Sequence, residues 1–286
     1  MTITECPRDA MQGIKDWIPT TSKISYLTKL LAVGFDYLDF GSFVSPRAIP
    51  QMADTAEVLA GLDLSTTKTK LLAIVANLKG AEQACSHSSI SILGYPFSVS
   101  ETFQLRNVNK TIAQSWEDVA TMQDLATKHG KELQVYLSMG FGNPYGDPYS
   151  PEVVLEIADQ LYHKFQIKHI APSDTIGSSA PDGIQSLFSA LTTALPEVRF
   201  SAHLHTVPTA AEAKIAAAWA GGCRHFDAAL LGFGGCPMAT DELTGNMPTE
   251  ALIGWLSTNN AAPKFNNQAW GDALMAAVVI FAPFRH

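Results

Sequence analysis

The sequence lacks most of the features that announce common protein classes. Its four cysteines, Cys6, Cys85, Cys223 and Cys236, are scattered, with no CxxC pair. That pattern suits a reducing compartment better than a disulfide framework. No stretch approaches the roughly 20 apolar residues of a bilayer span. The most apolar segment, Ala273 to Phe281, is too short for one and reads as a packed C-terminal element. An apolar signal core is also missing from the N-terminus. A cytoplasmic protein without a membrane partner is therefore expected. Positive charge is scarce: 19 Lys and Arg against 27 Asp and Glu leave a net charge of −8. A nucleic-acid binder normally shows a basic face, so that class is disfavoured. No GxGxxG follows the first strand candidate and no GxxxxGK[ST] occurs, which removes support for a nucleotide-binding open sheet. Linkers, low-complexity segments and charge runs are absent as well.

What is present is a folding core. Hydrophobic residues make up 47% of the 286 positions and charged ones 16%, a composition that folds rather than stays disordered. Short β-rich runs alternate with amphipathic ones. The strand candidates are Thr2–Glu5, Tyr37–Phe40, Lys70–Ala76, Ser89–Leu93, Leu133–Ser138, His169–Pro172, Arg199–His205 and Phe226–Leu230. Helical patterns cover Lys23–Val33, Ile49–Ala60, Leu78–Cys85, Thr111–His129, Pro151–Phe165, Pro181–Leu195 and Thr209–Ala220. Thr21 or Ser22 is suited to cap the first helix and Gly34 to end it; Pro151 and Pro181 fit the first helical position. Alternation at this rhythm implies parallel β and βαβ units. Eight strands over this length predict a (β/α)8 TIM barrel over residues 1–257, with a small C-terminal loop and helix, 258–286, packed on it.

In such a barrel the chemistry lies at the C-terminal ends of the strands. His203 and His205 are two apart, so on a strand both rings share a face and are placed to hold one divalent metal. Taken alone, the pair is equally consistent with a plain polar strand face. About thirty residues on, Cys236 sits in a Gly-Gly-Cys-Pro turn and Asn246 in a Gly-Asn turn. Polar residues gather at the other strand ends too: Arg8 and Asp9, Asp39 and Ser42, Asn77, and Ser173-Asp174-Thr175. Each alone also reads as a turn former or loop cap; acids, an arginine and two histidines at one end of several strands form a pattern.

These residues resemble the 3-hydroxy-3-methylglutaryl-CoA lyase family of metal-dependent barrel lyases. The resemblance is carried by Glu5-Cys-Pro-Arg8-Asp9-Ala-Met-Gln12, the run Ser42-Phe-Val-Ser-Pro-Arg-Ala-Ile-Pro-Gln-Met-Ala-Asp54, Asn77-Leu-Lys79-Gly, Ser173-Asp174-Thr175, His203-Leu-His205, Gly232-Phe-Gly-Gly-Cys236-Pro and Gly245-Asn246, and it spans roughly Thr2 to Leu256. It implies Mg²⁺ or Mn²⁺ held by Asp9, His203, His205 and Asn246. It also implies an acyl-CoA substrate, cleaved to acetyl-CoA and acetoacetate. Asp174 corresponds to a candidate general base, with His203 sharing the proton transfer. Arg8 would stabilise the enolate, Asp39 would orient the network, and Cys236 would protonate the enolate carbon. Gln12 and Thr175 would line the substrate site, while Lys15, Arg47 and Lys79 are expected partners for the CoA phosphates. A homodimer is a possible assembly. Asp39 stands where the family has Glu, and Thr206 where it has Asp, which leaves the acyl group open. A condensing enzyme of the isopropylmalate or citramalate synthase type is the alternative chemistry on the same barrel. A barrel that binds acyl-CoA without turnover is the non-enzymatic reading.

Overall fold

The computed structural model describes residues 1–235 and 244–284. Eight parallel strands close into a barrel in sequence order: β1 (Thr2–Glu5), β2 (Tyr37–Ser42), β3 (Lys70–Ile74), β4 (Ile90–Ser98), β5 (Glu132–Ser138), β6 (His169–Asp174), β7 (Arg199–Leu204) and β8 (His225–Ala228). The predicted TIM barrel is the observed one. Strands β2 and β6 are buried along their whole length, because one face packs inward and the other meets the helices. Inside the barrel, Tyr37, Leu72, Ile74, Ile92, Tyr136 and Ala171 form one apolar cluster; the larger apolar cluster lies between strands and helices.

Helix ends follow the local chemistry. Ser150 accepts from the Val153 amide ahead of Pro151–Phe165, and Thr111 and Gln114 form a reciprocal capping box at the start of Ile112–Lys128. Gly34 ends the first long helix in the left-handed region at φ 93°. That helix, Thr20–Val33, starts earlier than its sequence pattern suggested. Pro19 is its N-cap, with no side-chain cap from Thr21 or Ser22. The segment expected as one helix from Ile49 is a 3-10 turn, Pro50–Met52, followed by the helix Thr55–Ala60. Strand β4 runs on to Ser98, five residues beyond its expected end. Two short helices, Pro7–Gln12 and Glu101–Val108, fall in segments with no sequence assignment, and both border the mouth of the barrel. The C-terminal helix Asn267–Phe281 packs along Thr20–Val33, with Tyr26 edge-on to Phe281. No helix among the described residues is long and apolar enough to cross a membrane.

Candidate metal and acyl-CoA site

The site is assembled at the C-terminal ends of the strands. Asp9 enters it on the one-turn-and-a-half helix Pro7–Gln12, which leaves β1 at once because Pro7 favours the first helical position. His203 projects from β7, and His205 follows just past that strand's end. The result is a compact triad. Nε2 of His203 and Nε2 of His205 each lie 3.7 Å from Oδ2 of Asp9. That is too long for a hydrogen bond. It is the spacing of donors around one ion, since ligands about 2.1 Å from a cation stand about 3 to 4 Å apart. Asp9 Oδ2 is buried with no hydrogen-bond partner in the described structure, and so is Nδ1 of His205. Burial alone would raise the Asp9 pKa. The adjacent Arg8 guanidinium and the two imidazoles outweigh it and hold the carboxyl well below the usual range, so Asp9 is an anion. Charged oxygen and imidazole nitrogen suit a hard or borderline divalent cation.

Asn246 reaches the same region through backbone pairing with His205. Its Nδ2 donates to the Phe233 carbonyl at 2.8 Å, which leaves Oδ1 as its acceptor end. Gly234 makes the approach possible. Its φ is +99°, and a Cβ there would lie 2.6 Å from both Asn246 Nδ2 and the Asp9 carbonyl oxygen.

Arg8 is fixed from two sides. Its Nε and Nη2 fork onto Asp39 at 3.0 and 2.6 Å, and Nη1 donates to Asp9 Oδ1 at 3.1 Å. Asp39 is fully buried, and burial pushes its carboxyl up to about 6 despite the guanidinium beside it. Gln12 also donates to Asp9 Oδ1. A second group of potential ligands, Cys6, His203 and Asp227, shares one imidazole with the triad. Burial, with Asp227 close by, pushes the Cys6 thiol well above its ordinary pKa. A neutral thiol is a poor ligand, so the Asp9 set is chemically the stronger.

Arg8, Asp9, Gln12, Thr175, His203 and His205 all line one cavity of about 510 Å³. Asp174 does not. Strand alternation turns Ser173 and Thr175 to the cavity and Asp174 the other way. Its carboxylate accepts from the amides of Ser178 and Ser179 at 3.0 and 3.1 Å and from Lys214 Nζ at 2.7 Å. The residue expected as general base thus has its carboxylate oxygens occupied and turned away from the cavity. Lys15, Arg47 and Lys79 are solvent-exposed and do not line the cavity, although Ala48 and Asn77, next in reach to two of them, do. Besides Arg8, the wall carries the cations Arg106 and Lys110, from the helix Glu101–Val108 and the turn after it. Cys236 lies outside the described residues.

Three residues at the mouth escaped the sequence reading. Tyr136 stands edge-on to His203 with ring centroids 5.3 Å apart. Asp227 holds His203 Nδ1 at 3.2 Å. Arg106 is the third. A signal for Tyr136 existed: Gln134, Tyr136 and Ser138 are the alternate, polar positions of an otherwise apolar strand.

A closed parallel barrel with a carboxylate and two imidazoles gathered at its C-terminal mouth defines the class: a (β/α)8 protein with a metal-type centre opening into a ligand cavity. Comparison with known proteins narrows this. The HMGL-like family model matches residues 3–275, and the chain belongs to that family. It is 34% identical over 247 residues to the 3-hydroxy-3-isohexenylglutaryl-CoA/hydroxy-methylglutaryl-CoA lyase of Pseudomonas aeruginosa, covering 86% of this chain and 81% of that protein. It is 32% identical over 254 residues to a hydroxymethylglutaryl-CoA lyase of Bacillus subtilis, covering 88% and 84%. Among solved structures, an HMG-CoA lyase from Acinetobacter baumannii in complex with coenzyme A and 3-methylmalate superposes with a TM-score of 0.90 at 29% identity, covering 98% of this chain and 91% of that one.

Proposed function

We propose that this chain is a divalent-metal-dependent lyase that splits 3-hydroxy-3-methylglutaryl-CoA into acetyl-CoA and acetoacetate. The observation that carries the reading is the convergence of Asp9, His203 and His205 on one point of the cavity wall, in a chain whose relatives bear that activity in their names. Asp9, His203, His205 and Asn246 would hold Mg²⁺ or Mn²⁺. When bound, the ion supplies a positive charge that acidifies the substrate hydroxyl and fixes its orientation.

The reaction is a retro-Claisen cleavage. The C3 hydroxyl loses its proton, the C2–C3 bond breaks to leave the ketone of acetoacetate, and its electron pair forms the enolate of the acetyl thioester. That enolate takes a proton at carbon to become acetyl-CoA. Arg8, held by Asp39 and Asp9, would meet the negative charge that develops on the thioester oxygen. For the hydroxyl proton the proposed acceptor is His203, which faces the cavity, rather than Asp174. Cys236 is the proposed donor to the enolate carbon. For the acyl-CoA, Arg106 on the cavity wall takes the phosphate-binding role first expected of Lys15, Arg47 and Lys79.

The test is acetoacetate release from 3-hydroxy-3-methylglutaryl-CoA with Mg²⁺ or Mn²⁺. Wild type should turn over, and Cys236→Ser should lose on the order of 100-fold or more in kcat. No product from metal-loaded wild type would overturn the reading; full activity of Cys236→Ser would remove the proposed acid.

A further inference from the structure

The two imidazoles of the centre are held in different ways. His205 Nδ1 is buried with no partner in the described structure. His203 Nδ1 lies 3.2 Å from Oδ2 of Asp227. The contact is built into the barrel, because parallel pairing of β7 with β8 sets His203 directly beside Asp227. We infer that Asp227 is a positioning residue, whose carboxylate accepts Nδ1–H of His203 and so turns the bare Nε2 of that ring toward Asp9. The inference rests on the metal-site reading above and adds to it a residue outside the ligand set.

A neutral imidazole carries one N–H and one lone pair, and an ionised carboxylate only accepts. A carboxylate at Nδ1 therefore puts the hydrogen there and leaves Nε2 free to donate electrons. Nε2 is the atom that faces Asp9 Oδ2. The edge-on Tyr136 ring packs against the imidazole and opposes rotation away from that arrangement. Ligand-orienting carboxylates of this kind typically strengthen metal binding about 10- to 100-fold.

Asp227 is an expensive residue for the fold alone. It is 3% exposed, and its second oxygen, Oδ1, is buried with no hydrogen-bond partner among the described residues. A buried carboxylate oxygen left in that state opposes folding. Its place beside His203 is explained by what it does to the ring. The other role open to it, as a ligand alongside Cys6, is disfavoured because that thiol is neutral and directs its Sγ at the Thr4 carbonyl.

The experiment compares wild type, Asp227→Ala and Asp227→Asn as full-length metal-free protein. Mn²⁺ affinity is read by EPR titration, histidine tautomers by ¹⁵N NMR, and fold by thermal melting. Asp227→Ala should bind Mn²⁺ about 10- to 100-fold more weakly. Its His203 should show less of the Nδ1–H tautomer than wild type, and its metal-free melting temperature should not fall. Asp227→Asn keeps an acceptor oxygen and should lie between Ala and wild type. Wild-type Mn²⁺ affinity with an unchanged tautomer in Asp227→Ala would overturn the proposal. So would a loss of binding that merely follows a loss of melting temperature in both variants. A wild type that binds Mn²⁺ but cleaves no 3-hydroxy-3-methylglutaryl-CoA would refute the proposed activity and leave the role of Asp227 to be decided by the variants; a wild type that binds no Mn²⁺ would sink both.

Discussion

Asp174 and Lys214 form a buried ion pair, Oδ2 to Nζ 2.7 Å, with side chains 1% and 4% exposed. The same ammonium donates to the carbonyl oxygens of Gly177 and His205, each at 2.9 Å. One cation on the helix Ala211–Ala220 thus ties the end of β6 to the backbone of a candidate metal ligand. Asp174 serves the centre from behind, by fixing the chain that carries His205.

Removing the lysine should expose this dependence. Lys214→Met leaves a buried carboxylate without its counter-ion, at a cost of about 3–5 kcal/mol. A matching drop in stability is expected by thermal or chemical melting, together with weaker metal binding. Asp174→Asn should also lower the melting temperature. An Asp174→Asn protein that melts like wild type and loses only kcat would restore the general-base role.

Glu5 predicts a pH dependence of stability. It is fully buried between β1 and the segments that follow β8, accepting from the Leu230 amide and the Thr249 hydroxyl. Burial raises its pKa from 4.5 to about 8, against those two donors and with the charge of Glu250 adding to the rise. The folded state therefore favours the protonated carboxyl. Its stabilisation is complete below the unfolded value of 4.5 and is lost as pH climbs through about 8. The slope for one proton is about 1.4 kcal/mol per pH unit. Glu5→Gln, which cannot ionise, should flatten this part of the stability–pH curve in denaturant titrations between those limits. Parallel curves for variant and wild type would refute it.

Gly234 is predicted to tolerate no side chain. A methyl group there meets Asn246, the Asp9 carbonyl oxygen and Ala10 Cα within 2.8 Å, and the backbone sits at φ +99°. Gly234→Ala should cost about 1–3 kcal/mol in local strain. It should also push Asp9 and Asn246 apart, lowering Mn²⁺ affinity and kcat together in titration and assay. Wild-type affinity in Gly234→Ala would show that Asn246 is not part of the centre.

Arg106 should act on substrate capture. It is exposed on the cavity wall, its guanidinium 5.2 Å from the centroid of the Tyr145 ring. Arg106→Glu should raise KM for the acyl-CoA several-fold and leave kcat near wild type, with the difference shrinking as salt screens the phosphates. Equal kinetics at low ionic strength would exclude it from the phosphate site.

Much of this protein was readable along the chain. The barrel followed from strand–helix alternation, because parallel strands buried on both faces must be apolar and each needs a crossover helix to return. The pairing of His203 with His205 followed from the two-residue period of a strand, and the polar strand ends marked the mouth. Spacing could not say which way a side chain faces once a strand gives out. Asp174 looked equivalent to its neighbours and is turned outward to Lys214, forty positions away in sequence. Lys15, Arg47 and Lys79 were expected as phosphate partners from the family resemblance, yet the cavity wall carries Arg106, on a helix that left no periodic trace, and Lys110, in the turn after it. Asp227 acquires its role only from the register of β8 against β7. Local periodicity is a property of neighbours in the chain and survives in the sequence. The company a carboxylate keeps is set by closure of the barrel, which brings together atoms that no local pattern relates.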